Sequence, residues 1–286
     1  MMKKLLGGLL AAVLALTFAG CDTAAGSASS GKANAAQADE SWSRVQSAGQ
    51  LVLGLDKAFP PMGFVDTETG ELVGFDVDLA REACKRIGVT LKLQPIDWNN
   101  NLSELNNGNV DCLWNGFSKT KERAEKFNLS IPYMQNRQII LIPSGSNYKG
   151  LDSLAGKTVG VQSNSSAETA LNDNPDFTKT LGGTVKIDDY SKAVMEMQNG
   201  TIDAIAIDEV VARYYLTKEP GSYAILQDAD GKDVSLATED YVIGFRKGDG
   251  ALKEKVEGAL KEMSADGTLA KISEKWFGKD VTTVGK

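Results

Sequence analysis

The chain has 286 residues, which is longer than one average domain and fits a protein of two lobes. Apolar residues make up 42% and charged residues 24% of it, as is ordinary for a soluble globular protein. The formal net charge of −7 and the lack of Lys/Arg clusters outside single helix faces argue against a nucleic-acid-binding protein. The sequence contains no His, the commonest general base and zinc ligand, and we expect neither a metal nor a cofactor.

Residues 1–20 have the composition of an export signal. Two lysines precede an apolar run that is too short to span a bilayer comfortably. The run ends in the letters FAGC, and small residues before a lone cysteine resemble a bacterial lipobox, which makes Cys21 the predicted lipidation site. The alternative is a plain secretory signal followed by an incidental cysteine.

Residues 21–40 are Ala, Ser and Gly with scattered polar groups, and nothing in them can pack a core. We predict a flexible tether that holds a folded body at the membrane surface. Two further cysteines follow, Cys84 on the apolar side of a predicted helix and Cys112 in a predicted strand. Their positions favour two buried thiols over a disulfide.

The remaining sequence predicts two successive sets of strands and helices. In the first set, strands are predicted at 51–56, 90–95 and 110–114, and helices at 76–87, 101–107 and 121–127. A strand predicted at 138–142 leads into a break in composition at 143–146. In the second set, strands are predicted at 158–161, 185–187 and 204–207, and helices at 166–171, 191–198 and 208–216. A last strand at 241–245 and two helices at 251–264 and 269–276 complete the chain. This alternation indicates mostly parallel sheets with helices on both faces.

The second set has too few strands to form a large domain by itself. We therefore predict an α/β fold of two lobes, each a mostly parallel sheet flanked by helices. The first lobe comprises residues 41–140 and 241–286, and the second comprises residues 141–240. The two crossovers between the lobes would act as a hinge.

Five stretches in order resemble one family. The letters GFDVDL at 74–79, followed by Ala83, Cys84 and Ile87, resemble the signature of the polar amino-acid family of bacterial extracellular solute-binding proteins, family 3, whose members serve ABC importers. Further matches lie at 51–64, at 111–133 (ending in FNLSIPY), at 151–161 and at 267–278. The resemblance implies a periplasmic-binding-protein clamshell with a ligand cleft at the hinge. It also implies a free polar L-amino acid as ligand and the permease subunits of an ABC transporter as partners.

Arg123 and Ser118 are the candidates in the first lobe for holding the ligand α-carboxylate. A carboxylate prefers a bidentate guanidinium with nearby N–H or hydroxyl donors, and the matching residues of the family have this role. The alternative is that Arg123 is a solvated residue on a strongly charged helix. In the second lobe the candidates are Ser166 and Gln162, beside a helix N-terminus that offers free N–H groups. Ser165 and Glu168 also fit a capping box that merely begins this helix.

Asp208 follows a buried strand at its carboxyl end, where open α/β sheets bind ligands. The matching residue of the family receives the α-ammonium group, whereas the alternative is an ordinary helix N-cap. Asn115 and Gly116 end another strand. Gly116 would let the backbone approach the ligand, and the family often receives the α-ammonium on a backbone carbonyl there.

Asp56, Phe59 and Trp98 are the candidates for the pocket around the ligand side chain. Asp56 and Phe59 follow the first strand, and the resemblance implies that Phe59 stacks on the ligand and that Trp98 forms a second wall. Asp56 would favour a cationic or amide side chain, and the two aromatic rings would suit a flat one. The alternative for either ring is ordinary core packing.

Two other functions remain open. Cyclohexadienyl dehydratases share this clamshell, but an enzyme needs a positioned acid or base, and the sequence offers no His for that role. A sensor that signals through a partner receptor would bind its ligand in the same way. We predict a monomeric, non-enzymatic amino-acid-binding lipoprotein anchored on the extracytoplasmic side of the cell membrane, and we favour a Gram-positive cell surface.

Overall fold

The computed structural model of the chain describes residues 39–286. The predicted export signal, Cys21 and the predicted tether up to residue 38 lie outside the described residues. Asp39 already contacts the folded body, because its carboxylate accepts a hydrogen bond from the Ala251 amide at 2.6 Å. No helix among residues 39–286 is long and apolar enough to cross a membrane.

The first part of the chain builds one end of the main sheet. Its elements are α1 (Ser41–Ala48), β1 (Gln50–Leu55), β2 (Ala58–Phe59), β3 (Gly63–Val65), β4 (Leu72–Val73), α2 (Phe75–Ile87), β5 (Thr90–Pro95), a 3-10 turn (Trp98–Asn100), α3 (Asn101–Asn106), β6 (Cys112–Ser118), α4 (Lys121–Lys126) and β7 (Asn128–Leu129). Strands β5, β1 and β6 pair in parallel, as predicted. Strands β2, β3 and β4 form a separate small antiparallel sheet that the sequence did not predict.

The second part of the chain builds the other end. Its elements are β8 (Met134–Pro143), a 3-10 turn (Leu151–Leu154), β9 (Thr158–Gln162), α5 (Ser166–Asn172), α6 (Pro175–Thr178), β10 (Gly183–Ile187), α7 (Tyr190–Gln198), β11 (Ala204–Asp208), α8 (Glu209–Lys218), β12 (Tyr223–Ile225), β13 (Ser235–Phe245), α9 (Gly250–Ala265) and α10 (Thr268–Phe277). Strands β10, β9 and β11 pair in parallel. The order across the sheet is β10-β9-β11-β8-β13-β6-β1-β5.

Two long strands, β8 and β13, join the two ends. They pair antiparallel with each other, β8 also pairs with β11, and β13 also pairs with β6. The fold is therefore a two-lobed α/β clamshell whose sheets continue into each other through these strands. The predicted lobe boundaries, between 140 and 141 and between 240 and 241, fall inside β8 and β13.

Several element boundaries differ from the prediction. β13 begins at Ser235 rather than at 241, because its polar first half is held by hydrogen bonds to β8 instead of by apolar burial. β6 continues to Ser118, where Tyr241 of β13 pairs with it. Asp208 remains in β11 through its pairing with Gln138, so α8 begins one residue later than predicted.

Three hydrophobic clusters hold the helices on the sheet. The largest extends from Leu51 on β1 to Ile207 on β11 and includes residues of both lobes. A second lies within the second lobe, around Val159 and Ile140, and a third lies within the first lobe, around Phe117. Cys84 and Cys112 are both buried and unbonded, as predicted.

Candidate ligand-binding site

Four predicted site residues stand at the carboxyl ends of strands. Ser118, Gln162 and Asp208 are the last residues of β6, β9 and β11, and Asp56 follows β1 directly. β6 and β11 run in opposite directions along the β8–β13 pair, each toward its middle, and β1 and β9 run parallel to them, so the carboxyl ends converge at the junction of the lobes. This is where an open α/β sheet places a ligand.

The hydroxyl groups of Ser118 and Ser166 meet across the junction. Ser166 Oγ lies 2.9 Å from Ser118 Oγ, and both side chains are almost fully buried. Both hydroxyls lie within hydrogen-bonding distance of Glu239 Oε1, at 2.5 Å for Ser118 and 3.2 Å for Ser166. Ser166 Oγ also accepts a hydrogen bond from Gln138 Nε2. The structure thus brings together two residues that were predicted to bind a carboxylate.

Asp208 is buried and is held by β8 and β13 rather than by its own helix. Its side chain makes no cap hydrogen bond to α8. Instead Oδ1 accepts hydrogen bonds from Asn136 Nδ2, Gln138 Nε2 and the Tyr241 hydroxyl, at 2.7, 2.8 and 2.7 Å. Burial, followed by the nearby charge of Glu239, raises the pKa of Asp208 to about 7. A cation placed beside it would favour the ionised form.

The polar cluster around Asp208 has more acceptors than donors. The amide nitrogens of Asn136 and Gln138 each contact Asp208 Oδ1 and Glu239 Oε1, which fixes the orientation of both amides. Their oxygens, Asn136 Oδ1 and Gln138 Oε1, are buried and have no hydrogen-bond partner among residues 39–286. Buried acceptors are normally satisfied. A group that only donates hydrogen bonds, such as an ammonium, would supply what this cluster lacks.

Arg123 faces this cluster from the start of the helix α4. Its guanidinium lies 4.3 Å from the ring centroid of Phe117 and donates to the backbone oxygens of Ser118 and Asn164, both at 3.0 Å. Within the described chain it forms no ion pair with a carboxylate. Burial lowers the pKa of Arg123 from its usual value, and the charges of Glu239 and Asp208 oppose that shift. The result is an oriented cation whose charge is not paired.

Asp56 and Gln162 join the lobes on the other side of the site. Gln162 Nε2 donates to Asp56 Oδ2 at 2.6 Å, and both side chains are buried. Asn115 supports Asp56 by accepting a hydrogen bond from its backbone N–H, while Asn115 Nδ2 is buried without a partner among the described residues. Burial raises the pKa of Asp56 to about 6. This carboxyl therefore also lies where a cation would favour its ionised form.

The predicted aromatic residues separate into two environments. The ring of Phe59 lies 5.7 Å from that of Tyr190 in the second lobe, and a Cβ on Gly116 would approach Phe59 Cε1 to 2.7 Å. Gly116 has a φ of +57°, which favours glycine. Trp98 is buried against Phe117 in the first-lobe cluster, although it lines a surface cavity together with Asp56. Among residues 39–286 the rings of Trp98 and Phe59 make no direct contact with each other.

Sequence reasoning missed the residues that hold the site from β8 and β13. These are Asn136, Gln138, Glu239 and Tyr241, together with Tyr190 on α7. The available signal was the run of polar residues at 135–138 directly before the apolar run at 139–142. In the described part of the chain, no group of three or more Cys, Asp or Glu residues is arranged to hold a metal ion.

Residues 51–279 match the family of bacterial extracellular solute-binding proteins, family 3. The chain is 32% identical over 242 residues to the L-cystine-binding protein TcyJ of Escherichia coli (strain K12), which covers 84% of this chain and 86% of that protein. An ABC uptake transporter substrate binding protein from Streptococcus pneumoniae with bound histidine is similar with a TM-score of 0.80 and 35% identity, over 86% of this chain and 99% of that one. An ancestral arginine-binding protein bound to arginine is similar with a TM-score of 0.72 and 36% identity, over 80% of this chain and 99% of that one. The chain belongs to the bacterial extracellular solute-binding proteins, family 3.

Proposed function

We propose that this protein captures a free polar L-amino acid between its lobes and delivers it to the permease of an ABC importer. The observation that carries the proposal is the convergence of Arg123, Ser118, Ser166 and Asp208 at one junction. An unpaired guanidinium and two hydroxyls suit an α-carboxylate. A buried carboxylate among surplus acceptors suits an α-ammonium. Together they match the two charges that every free amino acid carries.

The charge of the site favours a ligand with a cationic side chain. Two buried carboxyl groups, of Asp56 and Asp208, face one guanidinium, so a net positive ligand would neutralise more of the buried charge than a neutral one. Asp56 follows β1, which lies two strands from β13, whereas Asp208 ends β11 beside β8, and we place the ligand side chain toward Asp56. The relatives bind cystine, histidine and arginine. We therefore name L-arginine as the first probe and L-cystine as the second.

Closure of the lobes around the ligand would signal its presence to the permease. Residues of both lobes hold the same small molecule, so ligand binding shifts the equilibrium between open and closed forms toward the closed one. The matching relatives are binding proteins, which favours this role over a dehydratase on the same fold. We further propose that Cys21 carries a lipid, that residues 22–38 are a tether, and that the protein acts as a monomer at the outer face of the cell membrane.

A thermal-shift screen tests the proposed function. Residues 22–286 would be unfolded, freed of carried-over ligand and refolded, then melted with each common L-amino acid and with L-cystine. A ligand that binds only the folded state raises the melting temperature as its concentration exceeds Kd. We expect the largest rise with arginine or another cationic amino acid. If no α-amino acid raises the melting temperature, the proposed function is wrong.

The lipid anchor has a separate test. In a host that processes lipoproteins, the full chain should incorporate labelled palmitate and remain with the membrane fraction. Cys21→Ser should lose the label and appear in the soluble extracytoplasmic fraction. Equal labelling of both proteins would exclude Cys21 as the attachment site.

A further inference from the structure

Glu239 lies on β13 directly opposite Asn136 of β8, in the middle of the ribbon that joins the lobes. Its Oε1 atom is an acceptor for four side chains. Gln138 Nε2 lies at 2.7 Å and Asn136 Nδ2 at 3.0 Å. The other two are the hydroxyls of Ser118, from the first lobe, and Ser166, from the second lobe. One carboxylate oxygen of β13 therefore contacts both lobes and the other connecting strand, β8.

The two hydroxyls are the same ones that the proposed function assigns to the ligand α-carboxylate. A serine hydroxyl has one proton and can donate it to one acceptor at a time. In this structure the acceptor of the Ser118 proton is Glu239 Oε1, at 2.5 Å. The Ser166 proton points either to the same oxygen or to Ser118 Oγ. A ligand carboxylate can receive these protons only if the hydrogen bonds to Glu239 break.

Glu239 has room to move when those bonds break. Its side chain is half-buried, whereas Ser118 is fully buried. Glu239 also lines a surface cavity of about 460 Å³ that Lys119 and Lys121 line as well. After it leaves the two hydroxyls, the Glu239 carboxylate would thus be solvated by water and would lie near the ammonium groups of Lys119 and Lys121.

We propose that Glu239 is an internal substitute for the ligand α-carboxylate: it stabilises a closed form of the ligand-free protein, which stays in equilibrium with the open form, and it is displaced when ligand binds. The part of this inference that concerns ligand rests on the proposed function. Any free energy by which Glu239 stabilises the unliganded closed form is subtracted from ligand binding, because the ligand must replace those contacts. Glu239 is thus a positioning residue that lowers affinity.

The first test needs no ligand. Small-angle X-ray scattering would compare refolded, ligand-free wild-type protein with Glu239→Ala and with the control Asp240→Ala. Asp240 is the next residue on β13, and its carboxylate makes no hydrogen bond or ion pair within residues 39–286. We expect Glu239→Ala to increase the radius of gyration by on the order of 1 Å as the lobes separate, and Asp240→Ala to leave it unchanged. Equal radii for wild type and Glu239→Ala would overturn the proposal.

The second test measures the affinity for L-arginine by isothermal titration calorimetry. We expect the Glu239→Ala variant to bind L-arginine roughly tenfold more tightly than wild type, because its ligand-free form has no charge-assisted hydrogen bonds from residue 239 that the ligand must replace. Weaker binding would overturn the inference, because it would mean that Glu239 contacts the ligand ammonium instead. If the wild type binds no amino acid, the proposed function fails, while the scattering result still decides whether Glu239 holds the lobes together.

Glu239→Gln guards against misfolding of the alanine variant. Glutamine keeps the shape of the side chain and one acceptor oxygen but removes the charge. Glu239→Gln should therefore raise the radius of gyration and the affinity for L-arginine, each by less than Glu239→Ala does. Circular dichroism and a single cooperative melt would establish that each variant is folded. A folded Glu239→Gln with wild-type radius and wild-type affinity would also contradict the proposal.

Discussion

The Ser118 and Ser166 hydroxyl oxygens lie 2.9 Å apart, although one ends a strand of the first lobe and the other begins a helix of the second. Both groups can touch one small molecule only while the lobes are together. Ligand affinity in this protein therefore depends on two quantities, the contacts within the closed site and the free energy of closure. The variants below separate these contributions.

Arg123→Ala should weaken L-arginine binding at least roughly a hundredfold, because the ligand carboxylate would lose the guanidinium that faces it. Arg123→Lys keeps the charge but cannot bind bidentately, and we expect a loss between wild type and alanine. Lys126→Ala, an exposed residue of the same helix whose ammonium pairs with Glu122, is the control. Calorimetry gives the affinities. An Arg123→Ala variant with wild-type affinity would remove this residue from the site.

Asp208→Asn should abolish the ability to recognise the ligand α-ammonium. The measurement compares L-arginine with 5-guanidinopentanoic acid, which is arginine without that group. Wild type should prefer arginine by roughly a hundredfold, and the variant should bind both weakly and almost equally. Glu209→Gln is the control, since its charge lies one residue away and pairs with Arg137. If the Asp208→Asn variant prefers L-arginine over 5-guanidinopentanoic acid as strongly as wild type does, the ligand α-ammonium binds somewhere other than Asp208.

Binding should depend on pH through Asp56 and Asp208, whose pKa values are raised to about 6 and about 7. A cationic ligand favours the ionised carboxylates, so binding lowers both pKa values and releases protons between about pH 5 and 8. Affinity for arginine should therefore rise with pH across this window. Calorimetry in buffers of different ionisation enthalpy counts the protons released.

Asp56→Asn should remove the part of this pH dependence centred near pH 6 and should reduce affinity for arginine more than for uncharged amino acids. Asp188→Asn is the control, because Asp188 lines the same surface cavity but pairs with the exposed Lys192. A pH profile that is identical in wild type and Asp56→Asn would show that this carboxyl does not titrate with the ligand.

Gly116→Ala should weaken binding through Phe59. The new Cβ would stand 2.7 Å from Phe59 Cε1 and must displace that ring, and the positive φ adds about 1–2 kcal/mol of strain. Gly108→Ala carries a similar φ of +78° with open space around its Cβ, so it reproduces the strain without the clash. We expect both variants to melt earlier and only Gly116→Ala to lose affinity. Equal affinities would mean that Phe59 does not contact the ligand.

The sequence predicted the parallel strands and their helices because buried runs such as Leu51–Leu55 carry a strong local pattern. The small sheet of β2, β3 and β4 was missed, since strands of two or three residues show no periodicity. Site residues at strand ends could be predicted because their place follows from topology. Asn136 and Glu239 could not, because they lie within strands and meet only through the pairing of β8 with β13.

The place of β13 in the sheet also constrains the order in which the chain can fold. β6 lies between β1 and β13, yet Tyr241, which pairs with Ser118, is synthesised only after the entire second lobe. A chain that emerges from a translocation channel N-terminus first would therefore expose the edge of β6 until β13 arrives. The first lobe is completed last, by the segment that also supplies α9 and α10. A protein truncated before residue 235 should consequently be more susceptible to proteolysis in its first lobe than the full chain is.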